Sequence, residues 1–285
     1  MEQKPLTIIV TILLLFVAAA AGAYFYMNSA SIQEAALVIE SGNVEVDQGN
    51  GFMAASDGME LSLQDTIKTS AGTTASVILY ESIIIELDEL TEIILEELSS
   101  DAVRIAQKSG STWNQFSNAL GVTSFTLATP SAVATVRGTQ FGAGPEGILV
   151  GDGTVDVDVD GQFFQVESGK KVFFGEAGTE LGNLTAEEKT KVQSRMRKVL
   201  LRMKSLRDAE IDVQSNKLKF IVKQAEKQGY GRDELRAYVE KTDDGVYNVD
   251  EVLTQAPVRT DGIEKIGKMT KAIQKEQRAL KNIER

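Results

Sequence analysis

The chain has 285 residues, with 41 Asp and Glu against 30 Lys and Arg, so its net charge is −11; it contains neither Cys nor His. That length supports one sizeable core plus an accessory region. The missing residue types exclude thiol nucleophiles, disulfides and imidazole chemistry, and leave any metal site with oxygen ligands alone. The charge is unevenly spread: residues 1–184 hold 7 basic and 24 acidic groups, net −17, and residues 185–285 hold 23 and 17, net +6, which marks a boundary near Leu184.

Residues 1–5 are a short polar start carrying Lys4, and residues 6–27 are 22 positions without a charge. As a helix that run spans about 33 Å, matching a bilayer core of roughly 30 Å. Tyr24, Phe25 and Tyr26 stand where an interfacial aromatic belt belongs. With Lys4 before the run, the expected topology is a retained single-pass anchor, its N-terminus cytoplasmic and the bulk of the chain extracytoplasmic. A cleaved signal peptide ending at Ala21-Gly22-Ala23 is the alternative.

From residue 32 to 182 the pattern is of short β-prone runs punctuated by Gly, Asn and Asp, which predicts an all-β domain. Ser41-Gly-Asn-Val-Glu-Val and Asp152-Gly-Thr-Val-Asp-Val echo each other, so the first and last strands are expected to play similar roles. Seven carboxylates between Glu81 and Glu97, interleaved with Ile and Leu, read as a solvated face over a buried one. Trp113, the single tryptophan, reads as a core or rim anchor. Asp156, Asp158, Asp160, Gly161 and Glu167 fit the spacing of a calcium-binding loop. Val155, Val157 and Val159 alternate with those Asp residues, however, and predict a hairpin turning at Asp160-Gly161 with no metal site.

Residues 123–141, T-S-F-T-L-A-T-P-S-A-V-A-T-V-R-G-T-Q-F, combine two short β runs around Pro130 with a bend at Gly138. Arg137 sits at that bend and is one of four basic residues between Ile32 and Gly169, the others being Lys68, Arg104 and Lys108. It is expected to be buried and paired with a carboxylate, pinning the corner; a ligand-contacting arginine is the alternative. The motif formed by Thr129, Pro130, Ala132, Ala134, Val136, Arg137, Gly138, Thr139 and Phe141 resembles the signature of the FecR (ferric-citrate regulator) domain family. The similarity extends over residues 36–174, through Gly42-Asn-Val-Glu-Val upstream and Gly151-Asp-Gly-Thr-Val downstream. It implies an extracytoplasmic all-β sensor or interaction module without catalysis.

Residues 185–285 read as a basic α-helical region. Thr185 with Glu188 is a capping box, and Val192, Met196, Val199, Met203 and Leu206 follow at heptad-like spacing. Short helices are expected over 232–241 and 249–255. A last helix from Asp261 carries Ile266, Met269, Ile273, Leu280 and Ile283, interrupted by Glu276. The two long stripes are expected to pack on each other and the basic tail to dock on the acidic β domain or an anionic surface, with homo-oligomerisation through the same helices as the rival.

The predicted architecture is thus α+β in segregated parts: an N-terminal transmembrane helix, a FecR-like all-β domain and a C-terminal helical region. The expected function is non-catalytic: a membrane-anchored binding, sensing or cell-envelope scaffold protein with a protein partner in the envelope, and no cofactor or nucleic acid. Two alternatives stand beside it, a transmembrane signalling regulator acting through a partner and an envelope-polymer hydrolase using paired carboxylates such as Asp88 and Glu92.

Overall fold

The computed structural model describes residues 35–99, 101–175, 178–217, 232–245, 247–255 and 260–283. The apolar run 6–27 lies outside these; among the described residues no helix is long and apolar enough to cross a membrane. The described chain is a central β domain followed by helices.

Its strands, numbered along the chain, form two sheets. The first runs in the order β1 (Ala35–Ser41), β5 (Thr74–Leu79), β6 (Ile83–Leu87), β9 (Thr112–Phe116), β12 (Gln140–Gly144), β13 (Gly147–Asp152), β16 (Lys170–Gly175), β17 (Gly178–Asn183). The second runs β15 (Gln162–Glu167), β14 (Thr154–Val159), β11 (Val133–Val136), β10 (Ser124–Ala128), β8 (Ala102–Ser109), β7 (Glu92–Leu98), β4 (Thr66–Thr69), β2 (Val44–Asp47), β3 (Phe52–Ala54). Alternate residues of both sheets, among them Leu37, Ile67, Val77, Ile85, Leu95, Ile105, Phe125, Val155 and Val157, close one core between them.

The echoed segments are not the first and last strands, because β1 precedes one and β15 to β17 follow the other, but their places in the sheet are alike. β2 and β14 each lie second from an edge of the second sheet, at its opposite ends. Each follows a glycine in the left-handed region, Gly42 at φ 79° and Gly153 at φ 80°. Both glycines also lie against neighbouring chain: a Cβ on Gly42 would come within 2.3 Å of Thr73 Oγ1, and one on Gly153 within 3.0 Å of the Gly138 carbonyl.

The Asp-rich segment is the expected hairpin. Val155, Val157 and Val159 point into the core, and Asp160 and Gly161 make the turn at φ 50° and 83°, both in the left-handed region that a two-residue turn demands. The side chain of Asp158 accepts the Gly161 N–H at 2.8 Å, so it is committed to holding that turn.

The helices are α1 (Ala186–Lys217), α2 (Arg232–Asp243), α3 (Val249–Gln255) and α4 (Asp261–Ile283). The capping box that starts α1 is reciprocal: Glu188 N–H donates to Thr185 Oγ1 at 3.2 Å and Thr185 N–H to Glu188 Oε2 at 2.7 Å. α1 and α4 pack along each other, and Val192, Met196, Val199, Met203 and Ile273 form a second apolar cluster with Ile84 and Trp113 of the first sheet. The molecule therefore has three layers, sheet on sheet on helix pair. Complete burial of each of these side chains is worth about 1.5–3 kcal/mol, so the helices are fixed on the sheet by packing before any charge is considered.

That third layer explains why β6 is buried on both faces. Ile83, Ile85 and Leu87 enter the core between the sheets, while Ile84 joins the helix cluster and Glu86, at 1% exposure, lies under the helices. The acidic run from Glu81 is thus not simply a solvated face. Its first half is a docking surface.

Candidate interaction site

The corner between the sheets is built from local turn chemistry. β10 and β11 are antiparallel, with Ala128 opposite Val133. Thr129 closes their connection: its N–H donates to the Ala132 carbonyl at 2.8 Å and its hydroxyl oxygen accepts the Ala132 N–H at 3.0 Å. Pro130 lies exposed at the tip, where its missing N–H costs nothing. Ala132, Ala134, Val136 and Phe141 all enter the core, Phe141 standing 6.2 Å from the ring of Phe125.

Residues 137–139 carry the chain from the second sheet to the first. Gly138 turns at φ 75°. Thr139 is fully buried, exchanges two backbone hydrogen bonds with Phe116 at 2.9 and 3.0 Å, and donates its hydroxyl to the Thr154 carbonyl at 3.2 Å. The corner is therefore anchored from both sheets, and Gln140, its next residue, emerges on the face that the helices cover.

α4 meets the corner directly. Lys275 Nζ donates to the Gly138 carbonyl at 2.8 Å and lies 3.3 Å from Asp152 Oδ2. Gln140 Nε2 donates to Glu276 Oε2 at 2.5 Å, and Gln140 Oε1 accepts from Trp113 Nε1 at 3.1 Å. Glu276 is 3% exposed. Burial, reinforced by repulsion from Asp152, pushes its carboxyl up to about 7, against the opposing pull of Lys275 and Gln140.

Around this polar centre the helices and the first sheet match in charge. Arg195 reaches Asp88 and Glu86, the latter at 3.3 Å; Lys198 lies 3.1 Å from Glu86 and 2.6 Å from Glu40; Arg202 lies 2.7 Å from Glu40; Lys265 reaches Glu81. Burial raises the Glu86 carboxyl even though Lys198 and Arg195 pull it down. For Arg195, burial opposes the charge, but Asp88 and Glu86 outweigh it and lift its pKa above the ordinary value. Beside this network a cleft of about 520 Å³ opens between α1 and the β12–β13 turn, with Trp113, Leu149 and Phe173 on its walls and Lys171, Glu188 and Arg195 at its rim. Gly142 keeps that wall flat, because a Cβ there would come within 2.9 Å of the Trp113 ring.

Residues 65–162, which hold the corner and most of both sheets, match the family model described as FecR protein. The chain carries a FecR domain. Two crystal structures of a candidate anti-sigma factor from Parabacteroides distasonis are similar at 20% identity, with TM-scores of 0.39 and 0.38. The similarity covers 44% of this chain and 62% of theirs, so the chain spans less than two thirds of their length. No curated protein matches the chain in sequence.

Within the FecR domain the motif residues divide into two groups. Thr129, Pro130, Ala132, Ala134, Val136, Thr139 and Phe141 shape the corner, while Arg137, Gly138 and the intervening Gln140 face outward or toward the helices. Arg137 differs from the expectation of a buried ion pair: it is exposed and has no carboxylate partner among the described residues. The reason is its place in the alternation. Ala134 and Val136 point inward from β11, so Thr135 and Arg137 point out, and the bend at Gly138 leaves the guanidinium at the rim.

Asp88 and Glu92 are engaged in separate ion pairs. Asp88 is engaged by Arg195, and Glu92 lies 3.6 Å from Lys68 on the other sheet. Each carboxylate has its own cation. Gln140, Asp152 and Glu276 went unassigned in the sequence; the one signal was Glu276 breaking an otherwise apolar stripe.

Proposed function

We propose that this is a non-catalytic binding and sensing protein in which the FecR domain and the helix pair act as one docked unit, passing a bound state to a protein partner. The observation that carries the reading is the direct connection of the FecR corner to α4 through Gly138–Lys275 and Gln140–Glu276. A change at the corner or in the adjoining cleft is thereby felt by the last helix without passing through the core. The FecR domain, a regulatory rather than catalytic module, fits this role. The apolar run 6–27 would anchor the unit in a membrane with the remainder outside the cytoplasm, placing the sensing surface where envelope ligands are met.

Crosslinking in native membranes followed by mass spectrometry tests the proposal. The expected result is a partner protein joined to the helix pair or to the rim of the FecR domain. Crosslinks confined to the chain itself, or hydrolysis of an envelope polymer by the purified protein, would count against it.

A further inference from the structure

We propose that the outer face of α4, continued by Arg137 at the FecR corner, is a docking surface for an acidic segment of a protein partner. This rests on the binding reading above and supplies the chemistry of the partner.

α4 buries Met269, Ile273, Glu276 and Ala279 on one side. The opposite side carries Lys268, Lys271, Lys275, Arg278 and Lys281, all exposed. Their spacing of 3, 4, 3 and 3 residues sets them along one ridge about 20 Å long. Between Lys265 and Ile283 the only acid of the helix is Glu276, which points inward, so nothing on the ridge itself neutralises it.

The ridge differs from the rest of the helix pair in how its charge is satisfied. Arg195, Lys198, Arg202 and Lys265 all lie against carboxylates of the first sheet. On the ridge only Lys275 does so, 3.3 Å from Asp152 Oδ2; Lys268 and Lys281 have no carboxylate partner among the described residues, and Arg278 Nε donates to the Gln274 carbonyl at 3.2 Å. Lys271 pairs with Asp250 at 2.6 Å, but the two side chains are 50% and 70% exposed, so that pair is readily exchanged for another. Arg137 is a further cation without a carboxylate partner among the described residues. The Lys275 bond to the Gly138 carbonyl brings the corner that carries it against the ridge.

The occupant follows from what borders these cations. A cleft of about 820 Å³ runs along the ridge, lined also by Asp244, Tyr247, Asp250 and Glu251. Acids so close to the ridge repel a uniformly anionic bilayer, and a flat headgroup surface leaves the cleft unfilled. A peptide with patterned acidic side chains meets the lysines and arginines, keeps clear of the acids and places a side chain in the cleft beside Tyr247.

The test uses the full chain in a neutral detergent and a fluorescein-labelled peptide of Glu-Ala-Ala repeats, read by fluorescence anisotropy. Saturable binding is expected that weakens as ionic strength rises and falls at least tenfold in the triple variant Arg137→Gln, Arg278→Gln, Lys281→Gln. Those positions are exposed, so the emission of Trp113, buried under the helices, should not change. Lys108→Gln, an exposed lysine on β8 of the second sheet, should bind as the parent does. Equal affinity of the triple variant, no saturable binding, or binding to phosphatidylglycerol vesicles in place of the peptide would overturn the proposal. A partner crosslinked elsewhere on the chain would remove this surface while leaving the binding reading intact.

Discussion

Replacing Glu276 with Gln should change how stability depends on pH, and the size of the change follows from its surroundings. The carboxyl titrates near 7 in the folded protein against an ordinary value of 4.5. A raised carboxylate pKa means that the folded state holds the proton more tightly than the unfolded chain. The associated stability is fully present below 4.5, falls as pH rises, and is gone above 7. The difference of two to three pKa units corresponds to about 3 kcal/mol, most of it lost between pH 5 and 7. Gln keeps an acceptor for Gln140 and supplies a permanent donor, so the variant should lack this loss and be the more stable protein at pH 8. Trp113 is the assay: it is the single tryptophan, it lies under the helices, and its indole N–H bonds the same Gln140. Urea unfolding followed by its fluorescence at several pH values should show the two proteins diverging by about 3 kcal/mol in the parent's disfavour as pH rises. Other carboxylates titrate equally in both proteins, so parallel curves would show that Glu276 is not held in a raised state and would refute the reasoning.

Three further outcomes follow. Arg137→Ala should shift stability by no more than about 0.5 kcal/mol, because the side chain is exposed and unpaired; a loss above about 3 kcal/mol in a urea titration would mean that it holds a buried partner after all. Met196→Ala, at 1% exposure between α1 and the sheet, should cost about 2–5 kcal/mol and redden the Trp113 emission, and an unaffected midpoint would place the helices off the sheet. Calcium titrated calorimetrically should show no submicromolar site at Asp156–Glu167, since Asp158 is occupied by the turn; one-to-one binding abolished by Asp156→Ala would contradict the hairpin account.

What was legible in the sequence was what local periodicity encodes. The Val-Asp alternation before Asp160-Gly161 specified the hairpin, against a match to a calcium loop, because a period of two commits every Val to one face. The heptad stripe of α1 and the apolar positions of α4 required each other, since neither could remain exposed, and they do pack together. The exposure of Arg137 is not legible locally, because its burial depends on which way the corner turns, which Gly138 decides and the residue type does not. Glu86 was read as solvated because its partners, Arg195 and Lys198, lie more than a hundred residues along the chain. Gln140 and Glu276 are separated by 136 positions, and nothing local in either predicts the other. A buried carboxyl within an apolar stripe was the visible trace of that contact.

The central claim, that the FecR corner and the last helix are one coupled unit, is tested most directly by hydrogen exchange on the full chain and on Gln140→Ala. The account predicts faster exchange in Gln140–Gly144 and in Asp261–Ile283 together, while Val44–Asp47 and Thr66–Thr69 at the far side of the other sheet are unchanged. Faster exchange confined to Gln140–Gly144, with Asp261–Ile283 as protected as in the parent, would contradict it.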